Sequence, residues 1–354
     1  MTLSSEHLFT LKAIAAAGDI VNGRTSCRAS NFGAECTPEA LDYMKRRKLY
    51  GLAAIGSAAP DPLFALYLKV WHIQYTALKQ LVEAAASEGI ELLLYKGGEI
   101  TERYCHSLPL ALRGDIDVVV REETFVDAKR VLHSLGYVQA EYDTVNRRLV
   151  PISSGRIAKL EANNYSPPSF ARLARVDLTV PEAEVRPTYM HPLSIAGSHA
   201  TVVIAIEVAT GLDQRLDTNS LFECSSQSVL EGARALRAED HIWYTAAMFY
   251  LGTYLYKQDN KLTKLADLAV MLDATAAELD WDYIVRRSRE LEVLPSVYYT
   301  LAFLNAAGRS PRVPASVLSA LSPAHGSRVR DYGWQLHKLF GAIEPMPYDL
   351  LWDN

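Results

Sequence analysis

Two aspartates two residues apart, Asp115 and Asp117, stand at the mouth of an apolar run, Val118 to Val120. Side chains at i and i+2 of a strand point to one face, with Cα atoms roughly 6.5 Å apart, so both carboxylates reach into one space. Like charges meeting there repel unless a cation lies between them. Hard oxygen donors suit Mg²⁺, which uses one or two carboxylates together with substrate phosphates. Upstream, the apolar Leu92 to Leu94 ends in Lys96-Gly97-Gly98. Glycines at such a turn allow close approach of a phosphate to backbone N–H groups, through positive φ where needed. A phosphate cradle beside an acidic pair is the chemistry of nucleotidyl transfer. Each half also has an ordinary interpretation, a simple turn and a solvated strand end.

The elements that must position these groups follow in a definite order. An apolar strand (90–95) leads into Gly-Gly, a helix near 99–105, an Arg-Gly pair at Arg113-Gly114, and a second strand (115–120). A helix over 122–135 ends at Gly136, and a strand over 137–142 comes next. Residues 143–200 are rich in loop signals around possible strands at 155–162 and 174–180, and read as an insertion that shapes an acceptor site. The apolar run TVVIAIEVAT gives a closing strand over 201–210. Helices are expected before this region, over 5–17, 38–56 and 62–88, and after it, over 238–257, 261–273, 282–291 and 295–307, with a further one near 327–340. The expected fold is therefore α+β: a small mixed β-sheet flanked by N-terminal and C-terminal helical regions. Its boundaries fall at 1–85, 86–212 and 213–354.

This order resembles the DNA-polymerase-beta-like nucleotidyltransferase superfamily, in which a strand ending in Gly-Gly or Gly-Ser precedes an acidic pair on the next strand. The separation here, Gly98 to Asp115, is 17 positions. The chain is similar, more closely, to a bacterial family of uncharacterised nucleotidyltransferases. The likeness runs from GIELLLYKG through Tyr104 and Arg113 to GDIDVVV, then Glu122, Glu123 and Leu135-Gly136-Tyr137. It continues in LRAEDHIWYTAAMFYLGTYLYK, KLADLAVML and LDWDYIVRRSRELE.

The resemblance implies a magnesium-dependent enzyme. It would use two Mg²⁺ ions to move an NMP, such as AMP from ATP, onto an acceptor with release of pyrophosphate. The other outcome is a catalytically silent relative that binds a nucleotide or a partner. The resemblance also implies a third acid on a neighbouring strand. Glu207, the lone charge in its apolar run, is favoured, with Asp177 in ARVDLTV as runner-up. The family tends to place His two residues after this acid, and Ala209 stands there instead. Lys96, Gly97, Gly98 and Arg113 are candidate phosphate contacts, as are Lys257, Lys261 and Lys264 near the start of a later helix. Each of these cations also suits a solvated face or a loop ion pair.

Composition bounds the partners. Hydrophobic residues make up 49%, enough for sizeable cores, and the formal net charge is −5. With an isoelectric point near 6.0, this does not suit a protein that coats nucleic acid. A small molecule, a peptide or a protein side chain is the expected acceptor. The four cysteines have no CxxC spacing, so neither a zinc knuckle nor a disulfide framework is expected. No HExxH, GxSxG, Walker A or GxGxxG motif occurs. A start without a basic stretch before an apolar core gives no signal-peptide pattern, and no run is long enough to span a bilayer. A cytoplasmic protein is expected.

Overall fold

A computed structural model describes residues 5–22, 36–57, 61–143, 145–161, 168–185, 193–212, 216–252, 262–307 and 312–322. It divides into two compact units, Met1–Ala59 with Ala238–Asn354, and Pro60–Arg237. The sequence suggests boundaries after residues 85 and 212 instead. The difference arises because the long helix Pro62–Ser87 packs on the sheet, and because the two strands after residue 225 pair into it. No described helix is long and apolar enough to cross a membrane.

In the unit Pro60–Arg237, the helix Pro62–Ser87 starts at Asp61, whose side chain accepts from the N–H groups of Leu63 and Phe64. Pro62 takes the first helical position, where its missing N–H costs nothing. Leu63, Leu66, Val70, Ala77, Leu81 and Ala85 recur at helical spacing and are buried as one face. Gly89, at φ 71°, ends the helix, and Ile90 N–H returns to the Ala85 carbonyl.

The sheet holds nine strands: β1 (Leu92–Leu94), β2 (Ile116–Val119), β3 (Val138–Asp143), β4 (Arg148–Pro151), β5 (Phe170–Asp177), β6 (Leu193–Ala196), β7 (His199–Ala209), β8 (Ser226–Gln227) and β9 (Ala233–Ala235). Their order is β4-β3-β5-β7-β2-β1-β9-β8, and β6 also pairs with β7. β1 is antiparallel to β2 and parallel to β9. β2 runs parallel to β7, while β5 and β6 are antiparallel to it. The sheet is thus mixed. Every residue of β1 and β2 is buried, as expected of central strands.

The stretch 155–162, expected as a strand, is the helix Ser154–Glu161. Ile157, Leu160 and Glu161 are its less exposed residues, at the i, i+3, i+4 spacing of a helix, and Ile157 N–H donates to the Ser153 carbonyl. The strand expected over 174–180 lies earlier, as β5.

The described residues of the other unit are helical. Thr37 caps the helix Pro38–Arg46 through its side chain. The single helix expected over 38–56 is two, Pro38–Arg46 and Tyr50–Gly56, broken where Lys48 takes φ 59°. The helices Ala238–Tyr250, Thr263–Thr275, Trp281–Glu290 and Leu294–Ala307 match the expected set closely. Residues 327–340 lie outside the described residues.

One buried group fixes the helix that follows β1. Glu99, 1% exposed, accepts from Arg103 Nε at 2.6 Å and from Ser228 Oγ at 2.6 Å. Arg103 also donates to the Gln227 carbonyl at 2.5 Å. Glu99 therefore ties the helix Gly97–Tyr104 to the chain around β8. Replacing it with Ala leaves Arg103 and Ser228 without this acceptor. We expect Glu99→Ala to cost about 3 kcal/mol, the scale of breaking a buried ion pair from one side. Chemical denaturation measures it, and a loss near zero would show that the tie carries no stability.

Candidate active site

The site starts at the end of β1. Lys96 has φ 61° and ψ −145°, a region that is nearly glycine-only, and the helix Gly97–Tyr104 begins directly after it. The positive φ anticipated for the Gly-Gly turn therefore falls on Lys96 and on neither glycine. Gly97 is needed for a different reason. A β-carbon there would lie 2.4 Å from Arg113 Nε and 2.6 Å from its Cδ, so the Arg113 side chain fills that space. At Gly98 a β-carbon would meet only Leu78 Cδ2, at 3.4 Å. The first intrahelical bond runs from Ile100 N–H to the Lys96 carbonyl, so the N–H groups of residues 97–99 open at the helix N-terminus. Helix N-termini favour anions through these N–H groups and the backbone dipole.

The chain returns through a loop in which His106 and Ser107 both take positive φ. Gln74 Nε2 donates to the Arg113 carbonyl at 2.9 Å and holds the end of that loop against the long helix. Asp115 follows, exposed, and β2 opens at Ile116.

Register then decides which third acid joins the pair. β2 and β7 run parallel with Asp117 opposite Glu207. Burial alternates along β7, and Glu207 lies on the half-buried face, between the fully buried Ile206 and Val208. Asp115, Asp117 and Glu207 each offer one carboxylate oxygen, and these atoms all lie within 4.8 Å of one another. Asp177 is not brought to this group. It ends β5 opposite His199, eight residues along β7 from Glu207, roughly 26 Å on strand geometry. Its side chain is 82% exposed, with Arg175 Nε 3.8 Å away. Its apolar neighbours hid a strand end whose alternate face meets solvent.

The cations divide similarly. Lys96 Nζ donates to Asp117 Oδ1 at 2.5 Å. Arg113 lies against Gly97. Lys264 belongs to the other compact unit, where its Nζ donates to the Met248 carbonyl at 3.4 Å. Lys257 and Lys261 lie outside the described residues. Nothing in the sequence marked Glu99 as the anchor of this helix beyond its Arg103 partner at i+4. Its other partner is 129 residues away.

Burial pushes the Asp117 carboxyl up to about 7 from its ordinary value of 3.8. The Lys96 ammonium opposes the rise, while Asp115 and Glu207 add to it. Three convergent carboxylates, one of them buried, form an all-oxygen donor set that fits a hard divalent cation such as Mg²⁺.

A separate cavity of about 680 Å³ lies along the long helix, bordered by Trp71, Tyr75, Lys79, Glu83, Glu102 and Ser107 among others. Glu102 accepts from Trp71 Nε1 at 3.1 Å and Ser107 Oγ at 2.9 Å. Burial, together with Glu102, pushes the Tyr75 hydroxyl up to about 12.

The raised Asp117 value gives a pH dependence with a defined sign. The folded state holds this proton more tightly than the unfolded chain, so the contribution of this group to stability is fully present below pH 3.8 and is lost as pH rises through about 7. In chelator, Asp117→Asn should therefore flatten the fall in melting temperature across that window. Thermal denaturation at stepped pH reads it. An unchanged slope would mean that Asp117 does not carry the effect. Gly97→Ala should displace Arg113 and lower affinity for nucleoside triphosphate at least about tenfold, given how closely the two residues lie. Calorimetric titration measures this, and unaltered affinity would remove Arg113 and Gly97 from the site.

The family model described as "Uncharacterised nucleotidyltransferase" matches residues 71–307, about two thirds of the chain. That span contains Lys96, the helix Gly97–Tyr104 and all three convergent carboxylates. Searches of curated proteins and of solved structures find no match. On the family match, the chain belongs to the uncharacterised nucleotidyltransferase family.

Proposed function

We propose that this chain transfers a nucleoside monophosphate from an NTP to the oxygen of an acceptor, with release of pyrophosphate and with Mg²⁺ as cofactor. The observation that carries the proposal is the parallel register that sets Glu207 opposite Asp117, beside Asp115. Asp115, Asp117 and Glu207 would hold two Mg²⁺ ions. Bound magnesium supplies charge neutralisation at the triphosphate and a lowered pKa for the attacking hydroxyl.

The chain's own groups do the rest. The open N–H groups at Gly97 and Gly98 receive phosphate oxygens, and the helix dipole adds to their pull. Arg113, whose side chain lies against Gly97 and whose carbonyl accepts from Gln74, brings its guanidinium to the same place. Such positioning lowers the barrier because the donors are already oriented toward the developing charge. Glu207, on the more open face, serves the attacking group more than the triphosphate.

The acceptor in this proposal is a small molecule, peptide or protein side chain, since a net charge of −5 disfavours long nucleic acid. ATP as donor and a cytoplasmic location belong to the same proposal. One observation favours the silent alternative: a protein cation already neutralises Asp117.

Pyrophosphate release from each of the four NTPs, with Mg²⁺ and a panel of acceptors, tests the proposal. Asp115→Asn, Asp117→Asn and Glu207→Gln should each cut turnover about 10²-fold or more while the fold survives. Asp177→Asn should stay within about twofold, as a solvated surface group. Full turnover in either aspartate variant at matched Mg²⁺ would end this account of the chemistry. A dead Asp177→Asn beside an active Glu207→Gln would move the third role to Asp177.

A further inference from the structure

Three carboxylates share a small space, and the deepest of them meets one protein cation. Lys96 Nζ stands 2.5 Å from Asp117 Oδ1 and 4.8 Å from the centre of the buried Tyr95 ring. The Asp117 side chain is 7% exposed and the Lys96 side chain 33%, so the ammonium sits between a buried acid and open solvent. Its backbone stays in a left-handed conformation that costs a non-glycine residue of order 1–3 kcal/mol. An ordinary surface lysine needs no such placement. Here the conformation sets the lysine at the junction of β1 and the helix Gly97–Tyr104, beside the open N–H groups of that helix and within reach of Asp117.

The paired acid makes the arrangement informative. A lysine placed only for stability could pair with any nearby carboxylate. Lys96 takes an oxygen of the buried member of the three, which stands opposite Glu207 and two residues from Asp115. An oxygen held by an ammonium at hydrogen-bond distance has one lone pair directed at that donor, and the ammonium's positive charge opposes a metal ion entering beside it.

We propose that Lys96 is a displaceable counter-ion: it holds Asp117 in the metal-free protein and yields that oxygen when divalent metal and nucleotide enter together. This rests on the nucleotidyl-transfer proposal for the same site. Lys96 directly precedes the helix whose first N–H groups are open, and its released ammonium turns to the phosphates of the nucleotide. The pair thereby couples the two ligands. Metal alone must compete with Lys96, whereas metal accompanied by a polyphosphate gives the ammonium a new anion. A purely structural ion pair makes the opposite demand, since its loss would loosen the acidic group and leave metal affinity unchanged or weaker.

The test uses the full chain as wild type, Lys96→Met and Lys96→Arg, with Mn²⁺ as the probe. Free Mn²⁺ is followed by electron paramagnetic resonance at fixed pH, first without nucleotide and then with a non-hydrolysable NTP analogue. Without nucleotide, Lys96→Met should bind Mn²⁺ about tenfold more tightly than wild type, because the competing charge is gone. Lys96→Arg, which keeps the charge, should bind Mn²⁺ within about twofold of wild type. With Mn²⁺ present, Lys96→Met should bind the analogue about tenfold more weakly.

Unchanged or weaker Mn²⁺ binding by folded Lys96→Met overturns the counter-ion. If Lys96→Met is unfolded in chelator, its recovery is titrated with Mn²⁺. Recovery of a cooperative melting transition supports the proposal, and failure to recover overturns it. NTP turnover by the wild type is scored separately. Its absence beside a tenfold gain in Mn²⁺ affinity supports the counter-ion and overturns nucleotidyl transfer. Turnover beside an unchanged affinity overturns the counter-ion alone.

Discussion

Mutual repulsion of three carboxylates is the constraint on which the rest of this site depends. Oxygens of Asp115, Asp117 and Glu207 lie within 4.8 Å of one another, and Asp117 is removed from solvent. In water such charges repel weakly, but at low dielectric the same separation is costly; burial first, with the neighbouring carboxylates adding to it, raises the Asp117 pKa. A fold tolerates the arrangement only if something else offsets it. Lys96 meets part of that need, and a hard cation would meet the remainder. The parallel pairing of β2 with β7 enforces the proximity, because a one-residue slip would turn Glu207 to the opposite face.

The other features follow as supports. The sharp turn at Lys96 places its ammonium, and it starts a helix whose first N–H groups are open. Gly97 leaves room for Arg113, so a second cation comes to the same end of that helix. Glu99 then anchors the helix to Ser228, fixing an element of only eight residues that could not stand alone in water. Rigid supports of this kind keep charged groups oriented before any ligand arrives, which is how such sites act on phosphate chemistry.

Much of this was legible locally, and the limits have physical causes. Asp-x-Asp before an apolar run announced a strand; β2 opens at Ile116 with Asp117 inside it and Asp115 just before it, and both carboxylates reach the same group. Glu207 was visible as a charge where hydrophobic alternation left no other. What no local pattern could supply was register: β2 and β7 are about ninety residues apart, and pairing across that distance is set by the whole sheet. Asp177 stood as runner-up because it too sits in a short apolar run, yet it ends its strand on the outward side. The stretch 155–162, expected as a strand, is a helix whose less exposed residues Ile157, Leu160 and Glu161 recur at helical spacing. The Gly-Gly pair suggested glycine φ values, while the structure asks for a missing side chain at Gly97 and puts the strained backbone on Lys96.

The central claim is that Asp115, Asp117 and Glu207 form one divalent-cation site. Anomalous scattering from crystals grown with Mn²⁺ and a non-hydrolysable NTP analogue tests it most directly. Peaks are expected within about 2.2 Å of carboxylate oxygens, one for each bound ion, with Asp115, Asp117 and Glu207 all among the ligands, next to the phosphates of the analogue. Mn²⁺ and analogue bound elsewhere, or every metal held without Glu207, would contradict it.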